Sequence, residues 1–189
     1  MDQLSLYVFI IPSAALLLMI ILVVHLKKNA GNQQTFMHLL WSITLCSFIL
    51  NLAWEMLQMP LYLNMSPDWQ TTLFCTLASV ADTIMVLLIY YGFAWLYKNN
   101  WWMIRPGPYR LMILVFAGGV GAVLAELRHI NLGTWIYSTH MPIILGLKVG
   151  LVPVLQFMIL PGVIYFLALS FKKKLDQSKK LKTIDNIKV

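Results

Sequence analysis

Five stretches of the chain are nearly free of charge and are separated by short polar or basic segments. They run over 4–26, 36–63, 71–97, 111–127 and 141–171, with Glu55, Asp82, Glu126 and Lys148 as their only charges. A helix needs about 20 apolar residues to cross a hydrocarbon core roughly 30 Å thick. The pattern therefore predicts an all-α membrane bundle of five spans, the fourth of them short. The fifth stretch is long for one span. Gly146, Gly150 and Pro153 punctuate its first third, and Pro161-Gly162 the rest. This predicts a broken or re-entrant start followed by a full helix, since unpaired backbone is tolerated at that depth only where protein or water satisfies it. The first stretch follows the acidic start Met1-Asp2-Gln3, and no small-x-small cleavage site comes after it. It reads as a span, not as a secretory signal.

Composition agrees with this pattern. Apolar residues make up 60 % of the chain and charged ones 11 %, where an ordinary soluble domain carries about 25 % charge. A soluble globular domain, a disordered tail and a fibrous protein are excluded. Cys46 and Cys75 lie inside apolar stretches with no CxxC, so they read as small buried side chains, not as a disulfide or zinc site.

The distribution of Lys and Arg sets an expected orientation. Segments 27–35, 98–110 and 172–189 carry twelve of the fourteen basic residues, leaving only Arg128 and Lys148 for the other side. The N-terminus is expected outside and the C-terminus inside. Trp95, Tyr97, Trp101, Trp102 and Tyr109 then fall at the inner interface, and Tyr62, Trp69, Trp135 and Tyr137 at the outer one. The net charge of +7 owes most to the tail. A basic segment beside a span attracts anionic lipid headgroups, and no nucleic-acid module precedes it. The expected partner is the bilayer.

Ionisable groups inside a bilayer are costly and turn toward the bundle interior or a cavity. Asn51, Glu55 and Gln58 share one helical face, and Pro60 is expected to end that helix and to push Met59 toward an extended conformation. Thr72, Cys75, Ser79 and Asp82 form a second stripe, with Asp82 about 16 Å below Thr71. Asp82 is a candidate proton carrier or partner for Lys148. On the fourth span Ala117, Gly121 and Ala125 make a small-residue ridge for close helix packing, thinned further by Gly118 and Gly119. Glu126 and His129 follow at i and i+3. A di-iron bundle needs two such pairs and two further Glu, so no metal is predicted, and a local acid–base or ion pair is favoured. The segment from Trp135 to Pro142 is an aromatic loop containing Tyr137 and His140. Lys148 and Gln156 follow on the fifth stretch, Lys148 about 10 Å beyond Met141 if the segment is helical. All these groups lie in the outer half or at mid-depth, which predicts a one-sided pocket, not a pore.

The ordered set Trp54-Glu55, Gln58-Met59-Pro60-Leu61-Tyr62, Cys75-Thr76-Leu77, Asp82, Glu126, Trp135-x-Tyr137, Met141-Pro142 and Gly150-Leu151-x-Pro153-x-Leu155-Gln156 resembles a family of small bacterial multipass membrane proteins of unknown function. The resemblance implies a bacterial inner membrane and no particular activity. A fainter likeness is to carotenoid-processing membrane proteins of the bisanhydrobacterioruberin hydratase and lycopene cyclase types, although the lycopene cyclase Pro-x-Glu motif is missing.

Motifs of the GxSxG, HExxH, P-loop and GxGxxG types are absent, and the sequence names no cofactor. Three functions stay open. The first is an acid–base enzyme on a lipid or isoprenoid, with Glu55 and Glu126 as acid and base, His129 or His140 assisting, Asp82 and Lys148 as a buried pair beneath, and Gln58, Trp135, Tyr137 and Gln156 lining the pocket. The second is a small proton-coupled transporter relaying through Asp82 and Glu55. The third is a non-catalytic accessory or assembly subunit, which the glycine ridge and the lack of a catalytic signature suit, with a second copy of the chain or a partner subunit as its partner.

Overall fold

A computed structural model describes the backbone of residues 7–63 and 65–187 and the side chains of residues 11–63 and 65–170. Five α-helices dominate it: α1 (Tyr7–Lys28), α2 (Gln33–Gln58), α3 (Trp69–Leu96), α4 (Pro108–Asn131) and α5 (Leu151–Ile187). Each is long and apolar enough to cross a membrane, so the chain is a multipass membrane protein. The lysine-rich tail, to which the sequence assigns anionic lipids, lies outside the described side chains.

Helix starts follow local chemistry. The Asn32 side chain accepts from Thr35 N at 2.9 Å and caps α2; Asp68 accepts from Thr71 N at 2.8 Å and caps α3. The Thr71 N–H and the Ser66 hydroxyl hold the Asp68 carboxyl below its ordinary pKa. Pro108 opens α4, where its missing N–H costs nothing. At the far end of α2 a short 3-10 turn, Met59–Leu61, carries Pro60. Met59 stays helical (φ −46°, ψ −43°), and the chain becomes extended only at Tyr62. The extension expected at Met59 is thus displaced by three residues, because the tighter turn accommodates the proline ring.

The helices α3, α2, α5 and α4 follow one another around an open ring. Each packs along the next, whereas α3 and α4 barely meet; α1 lies outside the ring against α3. The loops after α2 and α4 gather at one end. There Leu63 N donates to Ile136 O at 2.8 Å and Ser138 N to Leu61 O at 2.9 Å, and Tyr62 bridges Tyr137. The basic loops after α1 and α3 gather at the other end.

The fifth apolar stretch does not begin as a helix. Residues 143–150 form a two-residue antiparallel hairpin, Ile143–Ile144 against Val149–Gly150. Its turn uses left-handed backbone at Gly146 (φ +88°) and Lys148 (φ +56°). Gly150 ends it where a side chain would meet Met141 Sδ at 3.0 Å and the Tyr137 ring at 3.1 Å. The membrane-spanning part of α5 is Leu151–Ser170, which shortens the expected 141–171.

Two packing details also depart from the pattern. The α4 face against α5 is Leu114, Gly118, Ala122 and Glu126, all buried. The ridge expected at Ala117, Gly121 and Ala125 is turned away by one position, and nothing lies near Gly121. Trp102, expected at the interface, is instead 1 % exposed. It donates to Tyr90 O at 3.1 Å and packs with Tyr90, Phe93, Tyr97 and Tyr165. With Phe36 and Tyr91 these rings fill the basic half of the bundle with aromatic surface.

Candidate functional site

The polar residues of four helices meet at the end of the bundle that carries the aromatic loop. Gln156, on α5 and 1 % exposed, is the centre. Its Nε2 donates to Asp82 Oδ2 of α3 at 2.9 Å and to Asn51 Oδ1 of α2 at 3.0 Å. Its Oε1 accepts from Gln58 Nε2 at 3.4 Å. Gln58 also donates to Glu55 Oε1 at 2.6 Å and accepts from Trp54 Nε1 at 3.2 Å. Asn51 is tied back to Ser47 through its carbonyl and hydroxyl, at 2.9 and 3.0 Å. An amide side chain suits the centre because it both donates and accepts.

Glu55 and Asp82 are half-buried and close enough for their charges to interact. Two acids this close act as a coupled pair. In a coupled pair of acids one group can donate a proton while the other accepts.

Glu126 is buried on the last turns of α4 and close enough to Glu55 for their charges to interact. Its Oε2 accepts from the Tyr137 hydroxyl and, at 3.3 Å, from Trp135 Nε1. Burial first, and then Glu126, hold the Tyr137 phenol above its ordinary pKa; burial does the same for Tyr62 beside it. Both phenols stay protonated and available as donors. His129 stacks flat on Trp135, with ring centroids 4.0 Å apart, and its buried Nδ1 has no hydrogen-bond partner. Phe74 of α3 meets the edge of Trp135 at 6.5 Å, so the aromatic loop reaches across the gap between α3 and α4.

Of the residues singled out from the sequence, Glu55, Gln58, Asp82, Glu126, His129, Trp135, Tyr137 and Gln156 come together. Two do not. Lys148 is exposed on the hairpin turn, and the near partner of Asp82 is Gln156; the predicted buried ion pair is replaced by an amide–carboxyl bond. The physical reason is the left-handed turn that keeps 141–150 out of the helix. His140 is exposed in the loop, bonded through its backbone N–H to Ser138 Oγ at 3.3 Å. Asn51 and Tyr62 belong with the group. Asn51 was visible as the residue four before Glu55, whereas Tyr62 reads in sequence as an ordinary interface aromatic. The stripe on α3 contributes less than its spacing suggests. Ser79 and Thr83 turn their hydroxyls back onto Cys75 O and Ser79 O, both at 2.7 Å.

Among the described residues no three His, Cys, Asp or Glu side chains gather as a metal site would require. The expected pocket around the acids is not one of the two cavities described in the structure. One, of about 490 Å³, is an apolar groove between α1, α2 and α3; the other, of about 710 Å³, is at the basic end.

The network has a measurable consequence for stability. Gln156→Leu leaves Asn51, Gln58 and Asp82 short of a partner and is expected to cost about 1–2 kcal/mol. Ser79→Ala, which removes only a bond within its own helix, is expected to stay within about 0.5 kcal/mol. Unfolding in mixed detergent micelles compares the two.

No family model matches the chain, and neither the curated proteins nor the solved structures give a match.

Proposed function

We propose that the protein is a membrane-embedded acid–base enzyme acting on a lipid or isoprenoid. The observation that carries this reading is the convergence of Glu55, Asp82 and Glu126 from three helices on one end of the bundle, tied together by Gln156 and by the aromatic loop. Proton donation and acceptance by placed carboxyls contributes about 10²–10⁴-fold to a rate. The reaction class that needs such groups is protonation, hydration, isomerisation or group transfer. In this reading the Glu55–Asp82 pair exchanges a proton with the substrate, and Glu126, held by Tyr137 and Trp135, is the second acid–base group. The gap between α3 and α4 is the route from the bilayer, with Phe74 and Trp135 at its rim. With the basic loops on the cytoplasmic side, the site opens toward the outer leaflet.

The aromatic half of the bundle weighs against the transporter. A relay needs polar groups through the full thickness. Below Thr83 the buried face of α3 is Val86, Leu87, Tyr90, Tyr91 and Ala94. The hydroxyls of Tyr90 and Tyr165 are engaged with the backbone carbonyls of Asn100 and Val86.

The test is comparative lipid profiling of cells with the wild-type protein, a deletion, and Glu126→Gln. The same lipid or isoprenoid is expected to accumulate in both altered strains. Identical profiles in all three would overturn the reading.

A further inference from the structure

The basic end of the bundle carries an open cleft of about 710 Å³ between the loop after α1 and the loop after α3, within the range of about 300–1,000 Å³ typical of small-ligand sites. Its lining includes Lys98, Asn29, Asn99, Asn100, His25 and Trp101. No acidic side chain faces it among the described residues. Glu55, Asp68, Asp82 and Glu126 all lie on or near the other half of the bundle.

Lys98 carries a second, independent feature. It sits just past the end of α3 in the left-handed region, at φ +50°. Lys98 N donates to Trp95 O at 3.2 Å and Asn99 N to Ala94 O at 3.0 Å, which closes the helix in the manner that favours glycine at this position. Any β-carbon is disfavoured there. A cation near a helix C-terminus gains from the dipole, but a lysine one residue earlier would gain it without the strain. Lys98, Asn29 and Asn99 are exposed and line the cavity together. Asn29 itself is placed by a 3.3 Å contact to His25 Nε2, and Asn99 Oδ1 accepts from Trp101 N at 2.8 Å.

We infer that this cavity binds the phosphate of an anionic phospholipid headgroup, with Lys98 as the charge, the asparagine amides as hydrogen-bond donors, and the indole of Trp101 at the headgroup level. Basic pockets between spans are suited to such headgroups. The site is independent of the acid cluster and of the lysine-rich tail.

Native mass spectrometry of the full chain in detergent tests it, with phosphatidylglycerol, phosphatidylcholine and inorganic phosphate as probes. Phosphatidylglycerol is expected to bind in preference to phosphatidylcholine. Lys98→Gly removes the charge and suits the backbone, so its melting temperature is expected to hold or rise while phosphatidylglycerol affinity falls about fivefold. Lys98→Asn, which also tolerates the left-handed region, is expected to behave alike. Replacing the seven tail lysines by Gln is expected to leave the affinity in place. Equal binding of the two lipids, full affinity in both Lys98 variants, or loss confined to the tail variant would overturn the inference. Displacement of phosphatidylglycerol by inorganic phosphate at equal concentration would assign the cavity to a free anion and overturn the lipid.

Discussion

Gly118→Ala is expected to force α4 away from α5 and to destabilise the bundle by about 1–3 kcal/mol, the usual cost of an added carbon in a packed interior. A β-carbon at this position would clash with the Phe157 carbonyl oxygen and stand 2.9 Å from its carbon. Both are backbone atoms, so relief requires a helix to move and not a side chain to rotate. Ala122 and Glu126 lie on the same α4 face, so the displacement is expected to loosen the contact of Glu126 with the rest of the acid group. Gly121→Ala is the control. Nothing lies within 4 Å of its built β-carbon, and a helical Gly→Ala change gains about 0.8–1.0 kcal/mol of propensity. Mixed-micelle unfolding of the two variants should therefore shift in opposite directions. Equal shifts would show that Gly118 does not set the helix approach.

The second large effect is expected at the carboxyl pair. Glu55→Gln and Asp82→Asn keep the size of each side chain and supply an amide donor to the remaining carboxyl. Each removes one titratable group and keeps an oxygen to accept from Gln58 or Gln156. Each is expected to lower turnover by about 10²–10⁴-fold and to change stability far less than Gln156→Leu does. The double variant is expected to lose little more than either single one, because two coupled acids act as a unit. A stability loss that tracks the activity loss in every variant would identify the pair as structural cement.

How much of this was readable beforehand differs by element. The five spans follow from hydrophobic length alone, a strong signal because lipid leaves the backbone few alternatives. Glu55, Gln58, Asp82, Glu126 and Gln156 were legible as a group because polar side chains in apolar runs must face one another, and Trp135 and Tyr137 as the aromatic loop at the same end. Lys148 was misplaced because apolar residues around a lysine look alike in a helix and in a hairpin; the decisive feature is left-handed backbone at Gly146 and at Lys148 itself. The α4 ridge was shifted by one residue, since Ala117, Gly118, Gly119, Gly121 and Ala122 offer several equally spaced ridges and only the partner helix selects Gly118. Trp102 reads as an interface anchor from its basic neighbours. Its burial depends on Tyr90 of α3 and Tyr165 of α5, which no local pattern connects to a residue in the loop.

The most direct measurement is conversion in a defined membrane. Purified protein is reconstituted into vesicles made with lipid extracted from the deletion strain, and the lipids are followed over time for the wild type, Glu55→Gln and Glu126→Gln. The account predicts that the wild type consumes one lipid or isoprenoid species and forms a product, and that both variants leave that species essentially unchanged. No change with the wild type, or wild-type conversion by Glu55→Gln, would contradict it.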